Sequence, residues 1–167
     1  MTRAELDELA RKLEETPARV RNRVEQVHEG VLRWKKSPAE FSMLENVCHL
    51  RDIEQEGYTA RIQKLLRETK PALPDINGAQ LAVDRKYNAQ PLEPAIAAFT
   101  DARLANVRII RNLSAEELSR SGTLQTVGEI TLEKLLSMMR EHDEDHVRLI
   151  AEARKLATSG QSGATSR

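Results

Sequence analysis

The sequence predicts an all-α protein, a four-helix bundle with one long connection between its second and third helices. Apolar residues recur every three or four positions along most of the chain, which is the helical period. The stretch 70–94 interrupts this pattern with four prolines and an Asn-Gly pair. A length of 167 residues suits one domain, expected over residues 1–157, and the small polar residues 158–167 are expected to form a disordered tail. No alternating apolar pattern indicates a sheet.

The first part of the chain predicts two helical segments. Leu6, Leu9 and Leu13 mark a short helix. The Thr-Pro pair that follows is typical of a helix start, because proline suits the first helical position. We therefore expect a new helix to begin at Pro17 and to continue through Val31.

The second helix has the clearest start signal. Ser42 and Glu45 form an S-x-x-E capping box, in which each side chain binds a free backbone amide of the first turn. No proline follows until Pro71. The long connection after this helix would allow its two flanking helices to run parallel, whereas a short loop would make them antiparallel.

The second half of the chain predicts two further long helices. The third is expected over about 95–113, and Ser114 is expected to begin a short helical turn. The stretch 121–130 is expected to be a loop or a brief extended segment. Thr131 is a candidate cap for the last helix, which is expected to continue to about Leu156.

Composition limits the possible partners. The chain has 26 basic and 26 acidic residues and only 3% aromatic residues, so it has neither the positive charge nor the stacking surface typical of nucleic-acid binding. No apolar run approaches the ~20 residues that span a bilayer. The N-terminal residues lack the apolar core of a signal peptide, and the single Cys48 fits a reducing compartment. We expect a cytoplasmic protein without nucleic-acid or membrane partners.

Two of the four histidines lie one helical turn apart. His142 and His146 share the face of the last helix that also carries Leu135 and Met139. Such a pair is either two hydrogen-bonded interior histidines or part of a metal site. His49 in the second helix is also expected to point inward, so these three side chains could bind one side of a metal ion.

The residue types leave the metal and its full ligand set open. Neutral imidazole suits zinc, nickel, iron and copper, and three protein ligands leave a position for water, as in catalytic sites. Asp145 could be a fourth ligand or a hydrogen-bond partner of a ligand. Asp143 and Glu144 are expected to form a solvated acidic stripe, Cys48 a small core residue, and His28 an ordinary helix histidine.

Several motifs resemble the DinB-like family. The run "SPAEFSMLENVCHLRDIE" is similar to that family's helix start, where an aromatic-Ser pair precedes a His-Leu-x-Asp-x-Glu pattern. Phe41 stands where tryptophan is more usual. The run "HDEDH" at 142–146 matches the closing His-Asp-x-x-His element. The similarity extends over most of residues 1–156.

The resemblance implies a four-helix bundle in up-down-down-up order with a divalent ion, most often zinc or nickel, bound by three histidines. Carried over to this chain, the metal ligands are His49, His142 and His146. Family members are often dimers, so a homodimer is expected.

The resemblance leaves the reaction open. It implies a metal-dependent hydrolase, or a transferase that uses a low-molecular-weight thiol, acting on a small-molecule substrate. The alternative is a non-enzymatic module that binds a metal or a small ligand, as a sensor or stress protein would. A fourth metal ligand from the protein would favour this alternative, while an open position would favour an enzyme.

Overall fold

The computed structural model describes residues 1–162, with side chains through residue 159, and confirms an all-α four-helix bundle. Its helices are α1 (Arg3–Val24), α2 (Glu29–Leu32), α3 (Met43–Asp52), α4 (Ala60–Arg67), α5 (Gly78–Asp84), α6 (Leu92–Ile110), α7 (Ala115–Ser119) and α8 (Leu132–Ser162). A π-helical segment, Ile53–Thr59, joins α3 to α4, and a 3-10 turn, Tyr87–Ala89, precedes α6. The bundle consists of α1, the α3–α4 unit, α6 and α8. Both α1 and α3 pack against α6 and α8.

Helix α1 is continuous through Pro17, so the prediction of a new helix start there was wrong. A proline within a helix lacks the amide that would bind the carbonyl four residues earlier. That carbonyl, the Leu13 oxygen, instead accepts a hydrogen bond from Arg103 Nη1 at 3.0 Å. The helix also ends at Val24 and does not reach Val31, since Gln26 adopts a positive φ of 56°.

The capping box at the start of α3 is confirmed. The Glu45 amide donates to Ser42 Oγ at 3.0 Å, and the Ser42 amide donates to Glu45 Oε2 at 2.8 Å. The helical path then continues through the π segment and α4 to Arg67. Within the π segment, the Thr59 hydroxyl donates to the Glu54 carbonyl oxygen at 2.8 Å.

The long connection between the second and third bundle helices contains regular structure. It holds α5 and β1 (Ala72–Leu73), which pairs in parallel with β2 (Ser121–Leu124). Strand β2 pairs antiparallel with β3 (Gly128–Thr131). The expectation of no sheet was therefore wrong, because strands of two to four residues are too short to give an alternating pattern.

The last helix begins where it was predicted to begin and ends later than predicted. Thr131 Oγ1 accepts a hydrogen bond from the Lys134 amide at 3.1 Å, which confirms the predicted cap. Helix α8 continues to Ser162, beyond Leu156, so the part of the predicted disordered tail up to residue 162 is helical. Residues 163–167 lie outside the described residues. Among the described helices, none combines the length and the apolar composition that a membrane span requires.

The core is divided into two apolar clusters by a polar layer that crosses the bundle. One cluster contains Leu13 and Met139, and the other contains Val20 and Val147. Each of the four bundle helices contributes buried polar or charged side chains to the layer between them. These residues are Thr16, Asn46, His49, Glu54, Arg103, Asn106 and Asp143. The candidate site lies in this layer.

Candidate metal centre

The structure brings the three predicted histidines together. His49 projects from α3, and His142 and His146 project from successive turns of α8. One nitrogen from each ring lies within 4.8 Å of the others, and the Nε2 atoms of His49 and His142 are 3.1 Å apart. Two nitrogens bound to one zinc ion at 2.0–2.1 Å would be about 2.9–3.4 Å apart, so this separation fits a shared metal ion.

Asn46 determines which nitrogen of His146 is free to bind. Asn46 lies one turn before His49 on α3, and its Nδ2 donates to the Ser42 carbonyl oxygen at 2.8 Å. Its Oδ1 therefore faces His146 Nδ1, 2.7 Å away, as an acceptor. His146 Nδ1 carries the proton, which leaves the Nε2 lone pair for a ligand. Such a partner commonly fixes the orientation of a metal-binding imidazole.

The other two rings have few alternative partners. The Nδ1 atoms of His49 and His142 are buried without a hydrogen-bond partner. The Nε2 atoms of the two rings face each other, and each is the hydrogen-bonding neighbour of the other. The donor set of three imidazoles therefore fits a divalent metal ion better than it fits a hydrogen-bonded core.

Burial keeps all three imidazoles neutral. Desolvation is the main cause that lowers the pKa of His49, His142 and His146 from 6.5 to about 3. Mutual repulsion adds to this effect, because a charge on one ring disfavours a charge on the next. Neutral rings are the form that binds a metal, so the site is ready for an ion at neutral pH.

The site is enclosed by a glycine and two aromatic rings. Gly78, the first residue of α5, lies so close to His49 that a Cβ there would be 2.6 Å from Nδ1 and closer still to Cε1. The Phe41 ring centroid is 5.3 Å from that of His49, and the Tyr58 centroid is 5.9 Å from that of His142. The long connection thus supplies the cover over His49.

A buried ion cluster lies beside His142. Arg103 is 1% exposed and donates to Glu54 through Nε at 3.0 Å and Nη2 at 2.8 Å. It also donates to both carboxylate oxygens of Asp143, with Nη2–Oδ1 at 2.9 Å. Burial alone would lower the pKa of Arg103, but the two carboxylates raise it, so the guanidinium stays charged. Thr16 adds a hydrogen bond to Asp143 Oδ2 at 2.8 Å.

The structure corrects two expectations about the acidic residues 143–145. Asp143 is 1% exposed and holds α8 to α1 and α6, so it is not part of a solvated stripe. Glu144 is exposed as expected, and it pairs with Arg19. Asp145 is exposed and pairs with Arg148 at 3.2 Å, so it is neither a fourth ligand nor a partner of one.

The other candidates lie away from the centre. Cys48 is buried as predicted, and burial raises the pKa of its thiol to about 11, which makes it a poor nucleophile. His28 is exposed, and its Nδ1 accepts a hydrogen bond from the Gly30 amide as the cap of α2. Among the described residues, no cysteine or carboxylate joins the three histidines as a possible fourth ligand.

Sequence reasoning missed the residues that support the histidines. Asn46 could have been found, since it lies three residues before His49 on the same face of a predicted helix. Gly78 and Arg103 carried no such signal, because each reaches the site from a different element of the fold.

Comparison with known proteins assigns the chain, a helical bundle with three clustered histidines, to a family. The model of the DinB superfamily matches residues 12–150, and the chain belongs to that superfamily. The solved structure of YfiT from Bacillus subtilis, described as a probable metal-dependent hydrolase with an unusual four-helix bundle topology, is similar with a TM-score of 0.86. The identity is 21%, and the alignment covers 93% of this chain and 89% of that one. No curated protein matches the sequence.

Proposed function

We propose that this protein is a metal-dependent hydrolase that acts on a small molecule, with one divalent ion bound by His49, His142 and His146. The observation that carries the proposal is the number of ligands. Three imidazoles converge, and among the described residues no further histidine, cysteine or carboxylate joins them. Catalytic sites have this composition, whereas structural zinc sites are usually closed by four protein ligands.

The bound ion would lower the pKa of a water molecule and polarise the bond to be hydrolysed. The protein's own residues prepare the site for this chemistry. His146 keeps its proton on Nδ1 through Asn46, and the low pKa values of all three rings leave their other nitrogens unprotonated. The Arg103 cluster fixes the turn of α8 that carries His142.

The superfamily and the YfiT description support a metal-dependent hydrolase, while the metal and the reaction are part of the proposal. Zinc and nickel are the metals that we favour, since both bind neutral imidazole. A low-molecular-weight thiol as co-substrate, and a homodimer, remain predictions.

The first test is the metal content of protein purified without added metal. We expect nearly one divalent ion per chain in the wild type and a large loss in His142→Ala. His28→Ala is the matched control, because His28 is exposed and lies outside the centre. Equal metal content in the wild type and His142→Ala would overturn the proposal.

The second test is activity against a panel of simple amides and esters, with and without a small thiol. Hydrolysis should disappear on metal removal and return on reloading. Activity that requires the thiol would show that the protein is a thiol-dependent transferase and not a hydrolase. Reloaded protein that is inactive on every substrate would favour the non-enzymatic binding module.

A further inference from the structure

A cavity of about 300 Å³ lies next to the histidine centre, between the loop before α3 and the C-terminal half of α8. Leu149, Ala153 and Leu156 form its α8 wall, and Trp34 contributes to the opposite wall. The three α8 residues follow His146 by three, seven and ten positions, so they continue the face of the helix that carries the histidines. The cavity therefore lies beside the centre, on the same face of α8.

Two side chains belong to both the cavity and the centre. Phe41 lines the cavity, and its ring centroid lies 5.3 Å from that of His49. Asn46 also lines the cavity, and its Oδ1 lies 2.7 Å from His146 Nδ1. A molecule in the cavity would thus lie one side chain away from the histidines.

The lining is mostly apolar, and its charged residues lie at its edge. Three charged residues line the cavity, and each is already paired. Lys36 pairs with Glu40 at 3.4 Å, and Glu152 pairs with Arg148 at 3.0 Å. Lys36 is the single cation of the lining and is balanced by Glu40, so the lining offers an anionic ligand no net positive charge. Leu149 and Leu156 are 38% and 44% exposed, an apolar surface that a ligand would cover.

We propose that this cavity binds the apolar, uncharged end of the substrate, while the bond to be hydrolysed lies at the histidine centre. The inference rests on the proposed function and specifies its substrate class as a neutral molecule with an aromatic or branched group. A volume of about 300 Å³ is at the lower end for small-ligand pockets and suits a molecule of two or three aromatic rings.

The test uses a pair of fluorescent probes that differ in charge. N-phenylnaphthylamine is uncharged, and anilinonaphthalene sulfonate adds a sulfonate to the same ring system. We expect the neutral probe to bind one site per chain, about tenfold more tightly than the sulfonate. Equal or tighter binding of the sulfonate would overturn the assignment of an uncharged ligand.

Variants locate the bound probe. Ala153→Trp fills the cavity and should weaken binding of the neutral probe about tenfold or more. Ala151→Trp on the same helix is the matched control, since Ala151 does not line the cavity. Leu156→Asp places a charge at the exposed edge and should also weaken binding, which keeps the test valid if Ala153→Trp does not fold. Unchanged binding in the folded variants would refute the inference.

Two further readouts separate this inference from the proposed function. His142→Ala should lose metal and retain probe binding, so a failure at the centre would leave the cavity assignment intact. In active enzyme, Ala153→Trp should raise KM for naphthyl esters and leave KM for ethyl esters unchanged; equal effects on both would contradict the inference. Leu156→Asp could instead change the mass of the particle in solution and leave probe binding unchanged. That result would show that a second copy of the chain covers the cavity, and it would also overturn the inference.

Discussion

Gly78 should be essential to the histidine centre because no side chain fits at this position. The Cβ of an alanine there would lie 2.6 Å from His49 Nδ1, against an ordinary contact of about 3.5 Å. The imidazole or the start of α5 must therefore move by about 1 Å in Gly78→Ala. Overpacking of this kind typically costs about 1–3 kcal/mol of unfolding free energy.

The same shift would displace His49, one of the three proposed metal ligands. Losses of support around metal-binding histidines typically reduce affinity about 10–100-fold, and we expect Gly78→Ala to lie in this range. The assays are urea unfolding of metal-free protein and titration with zinc under competition by a chelator. Unfolding without metal measures the steric cost, and the titration measures the displacement of His49.

Gly57→Ala is the matched control. A Cβ at Gly57 would lie 3.4 Å from Ile53 Cγ2, an ordinary contact, and alanine favours a helix by about 1 kcal/mol over glycine. We expect wild-type metal affinity and no loss of stability in this variant. If Gly78→Ala has the same stability and zinc affinity as Gly57→Ala, the close approach of α5 to His49 is refuted.

Three further variants and conditions test the surroundings of the centre. Metal-free protein should lose stability as the pH falls from about 6.5 to about 3, because the buried imidazoles bind protons only after unfolding. Each imidazole contributes up to about 1.4 kcal/mol of unfolding free energy per pH unit. His142→Phe should therefore flatten the dependence of the unfolding free energy on pH, measured by urea unfolding. Arg103→Met should cost about 3–5 kcal/mol of unfolding free energy, since it leaves two buried carboxylates unpaired, and a change below 1 kcal/mol would contradict the ion cluster. Asn46→Leu should weaken zinc binding about 10–100-fold by removing the acceptor for His146, whereas the exposed Asp145→Asn should leave it unchanged.

Local signals in the sequence predicted the parts of this fold that depend on neighbouring residues. The capping box of Ser42, the helix start at Thr131 and the spacing of His142 and His146 each involve residues within four positions of one another. Such interactions are contained in a single helix and do not depend on which elements pack together. The inward direction of His49 followed from the same helical period.

The remaining features depend on contacts between elements that are distant in sequence. Pro17 stays within α1 because Arg103, 86 positions later, satisfies the carbonyl of Leu13; the hydrogen bond spans 90 positions. Asp143 is buried for a similar reason, since its charge is balanced by a residue of α6. A single sequence shows an acidic run at this position and nothing of the arginine that pairs with it.

The separation of the metal-binding candidates along the chain determines when the centre can form. His49 and His142 are 93 positions apart, and their rings meet only after α3 has docked on α8. An ion that requires both rings therefore binds late, after the slow long-range steps of folding are complete. Its binding would lower the rate of unfolding and leave the rate of folding nearly unchanged. The concentration of available metal would then determine how long the chain stays folded, and it would not change how fast the chain folds.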